Sequence, residues 1–103
     1  MPEIDSLIRE FKAFGNDAAL RISSNAINSY FHKLYNATRY EDAVTFSQIF
    51  TRIIVLSNYD QKGDLLQLLN QALFKPVYSN YSKLSIMQII LMAFLSGYYK
   101  RRD

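Results

Sequence analysis

Residues able to do chemistry are few in this chain. His32 is the only imidazole, and there is no cysteine. Nucleophilic hydrolysis needs a nucleophile, a base and an orienting acid, and His32 is the only side chain of the usual base type. It follows Tyr30 and Phe31 in a helical stretch, and no Gly-x-Ser-x-Gly elbow is present. Among the carboxylates, Glu41 and Asp42 are adjacent, so on a helix they diverge and do not converge on a substrate. Asp60 and Asp64 flank a loop, but the alternating acids and closing Glu of a calcium loop are missing. A Cys- or His-rich zinc site and an H-E-x-x-H helix are excluded by composition. Gly15, Gly63 and Gly97 are isolated, whereas a phosphate cradle needs clustered glycines. The expectation is a protein that is not an enzyme, with no catalytic residues, cofactor or metal.

The residues that suit binding lie toward the C-terminus. Tyr98, Tyr99, Lys100, Arg101 and Arg102 place two aromatics ahead of three cations, with Lys83 and Tyr81 as a second ring. Such a cluster can stack on rings and pair with anions, whether on a nucleic acid, a lipid headgroup layer or an acidic protein patch. It also suits a plain solvated terminus whose cations complement the last turn of a helix. If these seven are partner contacts, replacing Lys100, Arg101 and Arg102 with Ala should weaken binding and leave the melting temperature nearly unchanged. Charge is distributed to match. Residues 1–64 hold 7 basic and 8 acidic side chains, and residues 65–103 hold 5 basic and 1 acidic. The C-terminal third is therefore the side expected to meet an anionic surface. Eight tyrosines and no tryptophan supply amphipathic contact area, favoured at interfaces because it costs little rotamer entropy.

The elements that must position these residues are helical. Ile4, Leu7, Ile8, Phe11 and Phe14 recur at three- and four-residue steps, with Pro2 suited to a first turn. Gly15-Asn16-Asp17 reads as a stop, with Asp17 as the next cap. A second stripe runs from Leu20 or Ile22 through Ala26, Ile27, Tyr30, Phe31 and Leu34 to Tyr35. A polar break at 36–40 follows, and Glu41-Asp42 suits the positive end of a third helix. Its stripe is Ala43, Phe46, Ile49 or Phe50, Ile53 and Ile54. Residues 58–64 read as a loop, with Asp64 capping a fourth helix over Leu65, Leu66, Leu68, Leu69, Ala72 and Leu73. Pro76 ends that helix near Phe74. Ser85-x-x-Gln88 reads as a capping box, with Leu84 and Ile89 as its staple. From Ile86 to Leu95 only Gln88 is polar, the pattern of a helix buried on several sides. The run Leu84 to Tyr99 is shorter than the roughly 20 residues that span a bilayer.

A length of 103 residues gives a single domain, 1–103. Half the residues are hydrophobic and Gly plus Pro are scarce, which excludes a disordered or collagen-like chain. The expected fold is all-α, an antiparallel four-helix bundle of up-and-down order, with residues 2–14 either an extra N-terminal helix or an extension. The N-terminus Met-Pro-Glu-Ile-Asp-Ser does not read as a signal peptide, and the absence of cysteine fits a reducing compartment. A cytoplasmic location is expected.

Three segments resemble the immunity proteins of pediocin-like (class IIa) bacteriocins, of the enterocin A immunity type. Leu34-Tyr35-Asn36 is similar to the Leu-Tyr-Asn near the end of their first helix. The stretch 66–84, opening Leu-Leu-Gln-Leu-Leu-Asn-Gln-Ala-Leu-Phe and closing Tyr-Ser-Asn-Tyr-Ser-Lys-Leu, resembles their third helix and its exit. Leu84-Ser85-x-x-Gln88 with Leu91, Leu95 and Gly97 resembles the start of their fourth. The resemblance implies a cytosolic, non-catalytic bundle that protects the producing cell. Its partner would be a sugar-phosphotransferase permease already engaged by the bacteriocin, met at the inner face of the membrane. Two other readings stay open on the residues: a small helical adaptor or regulator, of phage origin for instance, and a basic nucleic-acid-associated bundle. Against the last, no polar, basic recognition helix follows a short turn.

Overall fold

A computed structural model of the chain describes residues 3–102. Five helices account for most of them: α1 (Ile4–Ala18), α2 (Ser24–Arg39), α3 (Ala43–Leu56), α4 (Lys62–Phe74) and α5 (Lys83–Arg102), with no strand among the described residues. The bundle is built around α5, which touches all four other helices. The others form an arc in the order α1, α4, α3, α2, and α1 does not touch α2. The near-continuous apolar run of α5 has this cause. Ile86, Met87, Ile90, Leu91, Phe94 and Tyr98 are all buried because neighbours stand on several sides of the helix.

The N-terminal segment is an integral fifth helix, and it is the closest partner of α5. Leu7, Phe11 and Phe14 are wholly buried, while Ile8 stays 38% exposed. The reading of Pro2 as a first-turn residue falls outside the described residues. Gly15 does not stop α1, which continues to Ala18. Its role is a close crossing. A methyl group on Gly15 would strike the Phe94 carbonyl oxygen, and one on Gly97 would strike that of Lys12. Two glycines thus let two backbones approach where any side chain would hold them apart. Gly97 lies against Lys12 and Asn16, Asn16 also meets Arg101, and Ile22 meets Tyr98 and Arg102. Partner numbers rise together along the two segments, so α1 and α5 run parallel, as the first and fifth members of an up-and-down chain must.

Local signals set the other ends. Asp17 does not cap α2. It pairs with Arg21 at 3.2 Å, and the Ser23 hydroxyl accepts the Ala26 N–H instead. The polar stretch 36–40 is mostly helical, since α2 runs to Arg39. There the Asp42 N–H donates to the Ala37 carbonyl and the Glu41 N–H to that of Thr38. That is the bond pattern of a Schellman close, with Glu41 at φ 55° where glycine is usual. Asp42 then caps α3, accepting from the Thr45 N–H at 3.0 Å and its hydroxyl at 2.6 Å. These bonds, the hydroxyl first, hold the Asp42 carboxyl below the usual range.

On α3 it is Phe50 that is wholly buried, with Ile49 only partly so. Helix α4 starts at Lys62, before Asp64, and Gln61 at its cap position makes no side-chain bond. It ends at Phe74 as Pro76 demands, with Lys75 extended at φ −119° and ψ 138°. Helix α5 begins one turn before the Ser85–Gln88 box. The Ser82 hydroxyl accepts the Ser85 N–H at 3.1 Å and donates to the Ser85 hydroxyl at 2.9 Å. Leu84 therefore sits inside the first turn and makes no staple. The helices meet over an aromatic centre in which Phe50 is edge-on to Phe11 (5.6 Å) and to Phe94 (5.4 Å). Offset and edge-to-face rings of this kind add to the burial energy itself.

Candidate binding surfaces

The C-terminal cluster is folded back on its own chain. Tyr98 is 0% exposed, so it is a core residue and not a surface contact. Its hydroxyl donates to the Ile22 carbonyl at 2.6 Å, and the Arg102 guanidinium donates to that same oxygen at 2.8 Å while lying over the Tyr98 ring. Arg101 donates two hydrogen bonds to Asn16 Oδ1, at 2.9 and 2.6 Å. The Tyr99 hydroxyl donates to Asn28 Oδ1 at 3.3 Å. Together these bonds clasp the α1–α2 corner onto the end of α5. They bridge two helices whose backbones do not pack on each other. Lys100 is exposed.

Tyr81 and Lys83 lie at the opposite end of α5. At 1.5 Å per residue, Lys83 and Lys100 are about 25 Å apart along the axis. The seven residues do not form one ring. Tyr81 (42% exposed) and Lys83 instead border a concavity of about 420 Å³ at the α4–α5 corner, with Phe74, Lys75, Pro76 and Tyr78. The Lys83 ammonium lies 5.5 Å from the Phe74 ring centre.

A different surface was not singled out by the sequence. On the outer side of the α2–α3 pair, two shallow concavities of about 480 and 610 Å³ share Ile49. The first takes Lys33, Ala37 and Tyr40 from α2 and its end. The second runs on along α3 through Arg52, Val55 and Leu56. Thr45, Ile49, Arg52 and Leu56 follow one another at helical spacing, so the two hollows form one groove beside α3. Tyr40 (72% exposed), Val55 (51%) and Leu56 (59%) leave apolar surface in it. The signal was present for α3: Val55 and Leu56 lie off its buried stripe, where a solvated helix would carry polar residues.

The remaining cleft, of about 500 Å³ between α1 and α4, is lined by Glu10, Tyr59, Asp64 and three glutamines. Burial first, then the charges of Glu10, Asp17 and Asp60, push the Tyr59 phenol above its usual range. His32 is exposed, edge-on to Phe31, and does not line it. Among the described residues, no group of three His, Asp or Glu side chains is placed to hold a metal, and no helix is long and apolar enough to cross a membrane. Compared with models of known families, with curated proteins and with solved structures, the chain matches none of them.

Proposed function

We propose that this protein acts by contact and not by chemistry, receiving an apolar helical segment of a partner protein in the α2–α3 groove. The observation that carries the reading is the exposed apolar surface on either side of Ile49: Tyr40 in the hollow between α2 and α3, and Val55 and Leu56 in the adjoining hollow along α3. Helices dock into such grooves through apolar anchors at three- and four-residue spacing. Contiguous apolar surface with a polar rim marks interaction sites on small proteins. Lys33 and Arg52 on the rim outnumber the one carboxylate there, Asp42, and the balance favours a partner whose flanking residues are acidic.

In its specific form the proposal is bacteriocin immunity. The protein would work in the cytoplasm and protect its producer by binding a toxin-engaged sugar-phosphotransferase permease near the inner membrane face. This form rests on the resemblance of residues 34–36, 66–84 and 84–97. Exposed Tyr81, Lys83 and Lys100 are secondary contacts in it. Expressing the protein inside a bacteriocin-sensitive Gram-positive strain and challenging with a panel of pediocin-like peptides tests it. Survival against one member is expected, and uniform killing by all members with the protein folded and present would overturn the immunity reading. The groove itself favours the broader reading, a helical adaptor, which does not depend on that outcome.

A further inference from the structure

We propose that the α4–α5 corner is a binding site for an amphiphilic anion, a phosphate or similar group carried on an aromatic or apolar body. Its volume, about 420 Å³, lies within the range of small-ligand pockets. Ala72, Leu73 and Ile86 are buried at its base, an apolar floor. Lys75 and Lys83 stand on its rim, and no carboxylate lines it. None is available nearby in sequence either, since residues 65–102 contain no Asp or Glu. Among the described residues neither lysine is in a salt bridge.

The α4 C-terminus and the α5 N-terminus both border the pocket, and their half-charges are opposite and nearly cancel. Among the lining residues, two ammonium groups and no carboxylate remain. Burial holds the Tyr78 phenol protonated above its usual range, so it adds no negative charge. The Phe74 ring, already under the Lys83 ammonium, gives a flat face on which a ligand ring can stack. Cations alone would suit any anion. The apolar floor selects one with a hydrophobic part. This inference concerns a different surface from the α2–α3 groove and does not rest on it.

The test uses the full chain labelled with ¹⁵N and titrated with phenyl phosphate, inorganic phosphate and phenol. Saturable amide shifts confined to residues 74–86 are expected with phenyl phosphate, at a Kd of about 1 mM, with weaker binding of either half alone. K75A/K83A should melt as the parent does, since both side chains are exposed, and should bind about tenfold more weakly, having lost charge-assisted contacts. Co-sedimentation with phosphatidylglycerol and phosphatidylcholine vesicles separates the sources. Lysine-dependent binding to the anionic vesicles assigns the anion to a headgroup, and binding of the soluble ester alone assigns it to a free ligand. Absence of saturable shifts at 74–86 with phenyl phosphate, or shifts unchanged in K75A/K83A, would overturn the proposal.

Discussion

At the scale of single residues, the C-terminal cations change meaning once their partners are known. The sequence leaves Arg101 and Arg102 open as partner contacts or as a solvated terminus, because a Tyr-Tyr-Lys-Arg-Arg ending looks the same whether it is solvated or bonded. In the fold both guanidinium groups are bonded, to Asn16 Oδ1 and to the Ile22 carbonyl. Hydrogen bonds from charged donors contribute more than neutral ones, though exposure to water reduces that contribution. R101A/R102A should therefore destabilise the protein by about 1–2 kcal/mol, against the unchanged melting temperature expected from sequence. Thermal unfolding would read this as a drop of several degrees, roughly 4–8 °C per kcal/mol for a domain of this size. Lys100→Ala, which breaks no such bond, is the control and should melt as the parent does.

At the scale of elements, helix faces were legible, helix number was open between four and five, and helix ends were less legible. The apolar periods of α1, α3 and α4 fall mostly on buried residues, Ile8 being the exposed exception, because a stripe at 3.6-residue spacing leaves little choice of face. Pro76 ended α4 where it had to, since the residue before proline is forced out of the helical region. The ends misread are those where two local signals compete. Ser82 and Ser85 are both capable caps, and in the fold Ser82 takes the position. Gly15 has the composition of a helix stop, yet it lies mid-helix at a backbone crossing that no one-dimensional pattern reveals. The structure gives the same substitution opposite signs at two glycines. Gly97→Ala drives a methyl into the Lys12 carbonyl, and overpacking of this kind costs about 1–3 kcal/mol or more. Gly63 has nothing within 4 Å of an added methyl and no positive φ. Gly63→Ala should therefore stabilise, by about 0.5–1 kcal/mol. Urea denaturation of the two variants checks both signs together.

At the scale of the whole molecule, the all-α architecture and its up-and-down order were legible from composition and period. What is new is the central place of α5 and its parallel partner α1. The candidate binding surface was the least legible part. Charge and aromatic content drew attention to the chain's end, whereas the groove depends on which side of α2 and α3 the packing leaves uncovered. The phenols impose a pH dependence on the whole fold. Burial raises both Tyr59 and Tyr78 above the ordinary range, so the folded state holds these protons more tightly than the unfolded one. Their contribution is complete below the usual phenol pKa and is lost as pH rises through the raised folded values. Denaturation midpoints should thus fall in alkaline solution, and Tyr59→Phe should flatten part of that fall.

The central claim, in its specific form, is that the protein confers immunity through the α2–α3 groove. The most direct measurement is the protection assay repeated with Y40A/V55D, both positions being exposed, at matched expression and melting temperature. The account predicts that the parent protects the sensitive strain and that the groove variant, still folded, does not. Protection by Y40A/V55D equal to that of the parent would contradict it.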